Sequence, residues 1–352
     1  MTRRMRHPQL TAVLVSISVA GALPAASCPA RSAEAPHAVL VVGQGGLGDQ
    51  SYNDLGTAGF LQGVRDIGVT GRIVETASVV SEGADILRQA AAAGFGLIVD
   101  LEYAHGAVIA EVAPQFARCR FVTLNQVVHG PNITSILFQE QEGSYLAGVL
   151  AAASLRDRAL PGLDRHAGLG VIGGVRSAGI DKFIVGFIQG ARSIDPKITI
   201  HVAYANSFGD PALGFEMARA MYRGGVGIIY AVAGTTGIGA IRAARDMNRY
   251  AIGVDQDEDG LAPGHVLTSM VKHTDLAVRN VVRSWHDGTL PDDGVIRMGL
   301  ASGGIGLSDM RFTRAILPPD VLSDVARARS DILNDHVHVW DVTAQGYPDF
   351  YQ

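Results

Sequence analysis

Short apolar runs rich in β-branched residues alternate with helical patterns along nearly the whole chain, and no feature narrows the possible folds more. Ala38–Val42, Arg72–Thr76, Leu97–Leu101 and Arg120–Leu124 read as buried strands. Between them, Leu55–Ile67, Gly83–Ala93 and Ala107–Phe116 carry apolar residues at helical spacing. Repeated β-α-β predicts a parallel sheet with helices on both faces. The rhythm restarts after Ile133–Phe138. Helices over Gly143–Ser154, Asp181–Ser193, Pro211–Arg223 and Gly237–Asn248 separate strands at Gly168–Ile172, Thr199–Ala203, Val226–Val232 and Ala251–Val254. The stretch from Arg156 to His166, with Pro161 and Gly162, is a loop. Two such series predict an α/β molecule of two Rossmann-like lobes. Ligands of open α/β sheets gather beyond the carboxyl ends of the strands, so the two lobes facing one another would make a ligand cleft.

Ahead of the first strand, Arg3, Arg4 and Arg6 precede the apolar run Leu10–Ala26 and the small residues Ala25-Ala26-Ser27-Cys28. Positive, then apolar, then small is the layout of an export signal, here residues 1–27. The run contains Ser16, Ser18, Gly21 and Pro24 and falls short of the ~20 apolar residues of a membrane span. Two fates are open. Ala-Ala-Ser before Cys28 resembles a bacterial lipobox, with Ala25 where Leu is usual, which implies lipidation at Cys28; the alternative is simple cleavage nearby. The pair Arg3-Arg4 lacks the apolar residues of a twin-arginine signal. The expected location is the periplasm or cell envelope, with membrane contact only through the Cys28 anchor. Cys119 is then expected as a small buried hydrophobe. A hydrophobic content of 47% excludes a disordered chain, and a net charge of -5 argues against a nucleic-acid binder.

Gly43-Gln-Gly45-Gly46-Leu-Gly48 follows the first strand and spells G-x-G-x-x-G, with Glu75 placed as a ribose-binding acid. The alternative this raises is an exported NAD(P)-dependent oxidoreductase using Gly43–Gly48. The helix is predicted to begin only after Asn53, too late for the third glycine to stand in its first turn. Asp255-Gln-Asp257-Glu-Asp259-Gly260 copies the opening of an EF-hand loop, but its twelfth position is Val266, where a bidentate Glu is required, so the residues after Asp255 are expected to form a solvated loop. His336 and His338 share a face of an apparent strand with no further metal ligand nearby. No metal or cofactor is expected. No G-x-S-x-G, H-E-x-x-H, C-x-x-C or P-loop is present, and no catalytic constellation can be named, so the chain is read as a non-enzyme.

Polar and aromatic residues recur at predicted strand ends. They are Asp49, Ser51, Tyr52 and Asn53 after the first strand and Asn125 after the fourth. In the second series they are Phe208, then Gly234 and Thr235, then Asp255, and Lys272 after Val266–Val271. Singly, each has an ordinary explanation: Asp49 or Ser51 as a helix cap, Phe208 as loop packing, Lys272 as surface charge. Together they furnish one cleft with aromatics, a carboxylate, an ammonium, amides and hydroxyls. That mixture suits a neutral polar ligand with a flat ring and vicinal hydroxyls.

These residues resemble the Bmp/PnrA family of solute-binding proteins. The pieces that carry the resemblance are Gly45-Gly46-Leu-Gly-Asp49-Gln-Ser51-Tyr52-Asn53, Glu142-Gly-Ser-Tyr145-Leu-Ala-Gly148, Gly168-Leu-Gly-Val-Ile-Gly173-Gly174, Phe187-Ile-Gln-Gly190, Ser207-Phe208-Gly-Asp210, Ala233-Gly-Thr-Thr-Gly-Ile-Gly239, Ile252-Gly-Val-Asp255-Gln and Leu267-Thr-Ser269-Met-Val-Lys272. The resemblance implies a type I periplasmic-binding fold and a receptor that delivers a nucleoside or nucleoside-like ligand to an ABC transporter permease. It also implies that Tyr52 and Phe208 stack on the two faces of a base while Asp255 and Lys272 hold the ribose hydroxyls, the ammonium fixing the carboxylate. Two positions depart from the family: Gly43 and Asn125 stand where it usually has base-contacting acids. The sugar-binding half of the pattern is kept and the base-reading half is altered.

The expected lobes are 37–139 plus 273–294 and 140–272 plus 295–330, with crossovers near Leu137–Gln141, Val271–His273 and Pro291–Arg297 and a C-terminal tail of 331–352. The helix Asp275–His286 is expected to return to the first lobe. A monomer is expected. A third reading, a ligand-sensing domain for transcription or signalling, is opposed by the export signal and the lack of a helix-turn-helix.

Overall fold

The computed structural model describes residues 37–156, 160–163 and 167–351; Cys28 and the export signal expected over residues 1–27 lie outside them. Strands β1 (His37–Val41), β2 (Thr70–Val74), β3 (Leu97–Asp100), β4 (Arg120–Leu124) and β5 (Ile133–Phe138) pair in parallel in the order β5-β4-β3-β1-β2. Helices α1 (Tyr52–Ile67), α2 (Val79–Ala92) and α3 (Gly106–Val112) connect them. β1 and β4 are buried beyond their first residue, as strands covered on both faces must be.

The second series opens with α4 (Glu140–Arg156). It continues through β6 (Gly168–Gly173), α5 (Ala178–Ile194), β7 (Ile200–Tyr204), α6 (Pro211–Arg223), β8 (Val226–Val232), α7 (Thr235–Asp246), β9 (Tyr250–Asp255) and β10 (Val266–Lys272). Its strands lie in the order β10-β9-β8-β6-β7, again parallel. The doubly wound two-lobed α/β architecture expected from the alternation is therefore present. Cys119 is buried, and burial pushes its thiol up to about 12.

From the second lobe the chain returns through α8 (Thr274–His286), which packs on α1. The contact is close because Gly59 and Gly63 face it: a Cβ at Gly59 would lie 2.1 Å from the Asp275 carbonyl oxygen. The next strand, β11 (Gly294–Met298), pairs with β5 and extends the first sheet. The short β12 (Ile305–Leu307) pairs antiparallel with β10 in the second. The last crossover thus falls between Met298 and Ile305, not at Pro291–Arg297, and residues 295–298 belong with the first sheet. β11 is a half-exposed edge strand, so its sequence carries little of the apolar signal that marks a central one.

After α9 (Pro319–Leu333) the tail runs along α5. Trp340 donates its backbone N–H to Gln189 Oε1 (2.8 Å), the Arg192 guanidinium donates to the Phe350 carbonyl (3.0 Å), and Tyr347 donates to Asp181 Oδ2 (2.7 Å). His336 and His338 lie in irregular backbone rather than a strand and are exposed. Val337 and Val339, between and beyond them, pack against the core, but no strand of either sheet pairs with this segment.

α4 and α5 meet backbone to backbone. A Cβ at Gly190 would sit 2.0 Å from the Tyr145 carbonyl oxygen, and one at Gly148 2.1 Å from that of Phe187. Gly190→Val is therefore expected to force the helices apart and destabilise the protein by roughly 1–3 kcal/mol, read as a fall in the urea midpoint. An unchanged midpoint would show that the helices separate freely.

Candidate functional site

Between the lobes lies a cavity of about 330 Å³, beyond the carboxyl ends of the strands of both sheets. The loop after β1 forms one wall. Asp49 caps α1: its carboxylate accepts the backbone N–H groups of Ser51 (2.9 Å), Asn53 (2.9 Å) and Asp54 (3.1 Å). Burial raises its pKa, and those three donors only partly offset that. The Asn53 amide ties the loop to itself, accepting from Gly43 N (2.9 Å) and donating to the Gln44 carbonyl (3.0 Å). Both side chains line the cavity, yet their polar atoms are committed to holding the loop. α1 begins at Tyr52 rather than after Asn53, because Asp49 satisfies its first N–H groups.

This arrangement also disposes of the dinucleotide reading. The Leu47 N–H is taken by Glu75 (2.7 Å), and those of Gly48 (2.8 Å) and Gln50 (2.9 Å) by Asp54. A pyrophosphate at this glycine run would meet two carboxylates instead of free donors.

Ser51, freed from capping, donates its hydroxyl across the cleft to Asp255 Oδ2 (2.7 Å). Asp255 ends β9 with φ +66° and Asn125 follows β4 with φ +67°. Both occupy the left-handed region that Asn and Asp tolerate better than other side chains, which suits these residue types to the two strand ends. Burial raises the Asp255 carboxyl above the usual carboxylate range, while the Lys272 charge and the Ser51 hydroxyl oppose that shift.

Lys272 does not fix Asp255 as expected. Its ammonium donates to Glu140 Oε1 (2.8 Å) and Asn125 Oδ1 (2.7 Å) and lies 4.9, 4.8 and 5.6 Å from the ring centroids of Tyr52, Phe138 and Phe183. Glu140 at the start of α4 is the carboxylate that holds it, and it faces Lys182 as well (3.1 Å). Burial alone would raise the Glu140 carboxyl, but the two ammonium groups hold it below its usual value. Lys182 in turn reaches Asp341 of the tail (3.4 Å). Glu140 escaped the sequence reading, although it shares a helical face with the small residues Ser144 and Gly148 that predict burial.

Tyr52 presents its ring to the cavity while its hydroxyl donates to the Leu101 carbonyl (3.2 Å) and accepts from Asn125 Nδ2 (3.1 Å). Phe208 lines the cavity from the other lobe, seated on Gly174, where a Cβ would come within 2.2 Å of its ring. Gly234 (φ +52°) lines the cavity close to the Phe208 carbonyl. Thr235 does not line it: as the first residue of α7 it turns its hydroxyl toward the Asp49 carbonyl (3.3 Å). Beyond Asp255 the chain is not a solvated loop. Glu258 and Asp259 are buried, Glu258 accepting from Val254 N and Asp259 from the Ser269 and Ser308 hydroxyls, and burial pushes Glu258 up to about 8.

The loop after β3 brings Glu102 and Tyr103 to the cavity and is anchored by a buried pair. His105 places Nδ1 2.7 Å from Asp100 Oδ2 and Nε2 2.7 Å from the Val79 carbonyl. Two acceptors satisfy both nitrogens only when the ring is protonated. Burial pulls the imidazole toward neutrality, but Asp100 and the carbonyl outweigh it, and its pKa is raised above 6.5. A raised folded-state value means that the stabilisation is complete below about 6.5 and is lost as pH climbs through the folded value. The urea midpoint is expected to fall between pH 6 and pH 9, and His105→Asn should flatten that segment of the profile. A wild-type midpoint independent of pH over this window would contradict the charged pair.

A family model described as ABC transporter substrate-binding protein PnrA-like matches residues 37–340. The chain is 27% identical over 323 residues to the ABC transporter nucleoside-binding protein BmpA of Lactococcus lactis, covering 86% of this chain and 88% of that one. It is 28% identical over 321 residues to the CD4+ T-cell-stimulating antigen of Listeria innocua, covering 85% and 87%. Among solved structures, an ABC transporter solute-binding protein from Aeropyrum pernix K1 superposes with a TM-score of 0.78 at 24% identity, covering 87% of this chain and 94% of that one.

Proposed function

The chain belongs to the PnrA-like family of ABC transporter substrate-binding proteins, and from that premise we propose that it is an extracytoplasmic receptor that closes its two lobes on a nucleoside or nucleoside-like ligand. The observation that carries the reading is the composition of one cavity, with Tyr52 and Phe208 contributed by opposite lobes and Asp255, Lys272 and Asn125 gathered beside Tyr52. An aromatic face on a base contributes ~1–3 kcal/mol in single-stranded nucleic-acid sites. A carboxylate can accept two vicinal hydroxyl protons, and Lys272, with two of its three N–H groups engaged by Glu140 and Asn125, keeps one for a ligand oxygen. The relative from Lactococcus lactis, named as nucleoside-binding, supports the same ligand class. A permease partner follows from the family, and a lipid anchor at Cys28 and a monomeric state are part of the proposal.

The test is a thermal-shift screen of nucleosides, free bases, sugars and amino acids. Only the folded state binds the ligand, so one present at 100 times its Kd adds about 2.7 kcal/mol of stability and a clear rise in Tm. If a plain sugar or an amino acid raises Tm while no nucleoside does at millimolar concentration, the ligand class is wrong.

A further inference from the structure

We infer that Glu102 selects among planar rings in this cavity by accepting hydrogen bonds from ring N–H donors; this rests on the nucleoside reading above. Glu102 lines the cavity just beyond β3 and is 2% exposed. Its Oε2 accepts the backbone N–H of Gln44 (2.8 Å), and its Oε1 accepts from Ala104 N (2.9 Å) and Gln44 Nε2 (3.2 Å). The bond to Ala104 caps its own short turn. The bonds to Gln44, 58 residues away, fix the carboxylate plane across the floor of the first lobe.

Glu140, the other buried glutamate of the cavity, is matched by two ammonium groups. Glu102 forms no ion pair among the described residues, so three neutral N–H groups support its charge. A carboxylate offers about four lone-pair sites, which leaves one on Oε2. An acceptor of this kind, held in place and uncompensated in a ligand cavity, favours a partner that brings a donor. A 6-oxopurine supplies one at ring nitrogen N1. A ring with only acceptors along that edge would leave the carboxylate desolvated and unmatched, and sites built around such a bond reject the analogue lacking it by large factors.

The experiment titrates the full chain and its Glu102→Gln variant with inosine and with purine riboside, which is inosine without the 6-oxo group and its N1 hydrogen. The wild type is expected to prefer inosine by about 100-fold or more. The variant, whose amide leaves no anionic acceptor to go unmatched, should lose about tenfold or more of that preference, through weaker inosine binding, tighter purine riboside binding or both. A purely turn-capping role would weaken both ligands alike, so an unchanged ratio in the variant overturns the inference. Equal binding of the two nucleosides by the wild type overturns it without any variant. Binding of neither, with a sugar bound instead, overturns the nucleoside reading itself and this inference with it.

Discussion

Glu140→Ala is expected to cost about 3–5 kcal/mol of folding stability, the loss measured when one partner of a buried ion pair is removed. Glu140 and its two lysines are each at most 3% exposed, so the deletion strands two ammonium groups in the interior. Lys182 keeps the Phe138 carbonyl (2.6 Å) and Asp341 (3.4 Å), whereas Lys272 keeps only Asn125 and the surrounding ring faces. The damage should therefore concentrate on Lys272. It also falls where the chain passes between the lobes, since Glu140 follows β5 and Lys272 ends β10. With a total stability of ~5–15 kcal/mol for a typical fold, the variant should melt far below the wild type. Glu140→Gln, which keeps an acceptor without the charge, should fall between the two. A loss under about 1 kcal/mol for Glu140→Ala, the level of an exposed pair, would mean that water reaches this network.

Asp255→Asn should separate binding from folding. Asn tolerates the left-handed backbone at this strand end, so the substitution leaves φ unstrained. Because burial raises the Asp255 carboxyl, its ionised form disfavours the folded state at neutral pH, and removing the charge should leave stability equal or higher. Ligand affinity should move the other way. Hydrogen bonds to a charged group contribute ~1.5–3 kcal/mol each, so loss of the carboxylate should weaken nucleoside binding by about 10- to 100-fold for each hydroxyl it accepts. In the wild type, affinity should decline as pH falls through the raised Asp255 value, which is a higher pH than an exposed aspartate would require. Calorimetric titration of wild type and variant at pH 7 and pH 5 checks both points. Undiminished affinity in the variant would remove Asp255 from the ligand.

The sequence conveyed the alternation of central strands and helices and, with it, the strand ends where Tyr52, Asn125, Phe208, Asp255 and Lys272 come together. These were legible because a buried parallel strand is a continuous apolar run, and the residue after it is where a side chain can face a cleft. The roles of individual groups were harder to read. Asp49, three residues ahead of α1, caps it and leaves Ser51 to reach the other lobe, a division that only helix geometry decides. Thr235 is adjacent to a cavity residue in sequence, but the first turn of α7 points it elsewhere. Glu140 and Glu102 are not legible in the sequence, because an acid near a helix or strand end is usually solvated and their burial depends on residues far away in the chain, Lys272 and Gln44. The edge strand β11 and the tail on α5 carry mixed polar sequences whose placement comes from tertiary partners rather than local pattern.

The most direct test of the central claim is isothermal titration of the wild-type chain with inosine, hypoxanthine and D-ribose in parallel. One crevice that both stacks a ring and grips a pentose should bind the intact nucleoside at least about 100-fold more tightly than either fragment, because each part alone forfeits the other's contacts and its shared immobilisation cost. If D-ribose binds as tightly as inosine, the aromatic walls contribute nothing and the account of this site is wrong.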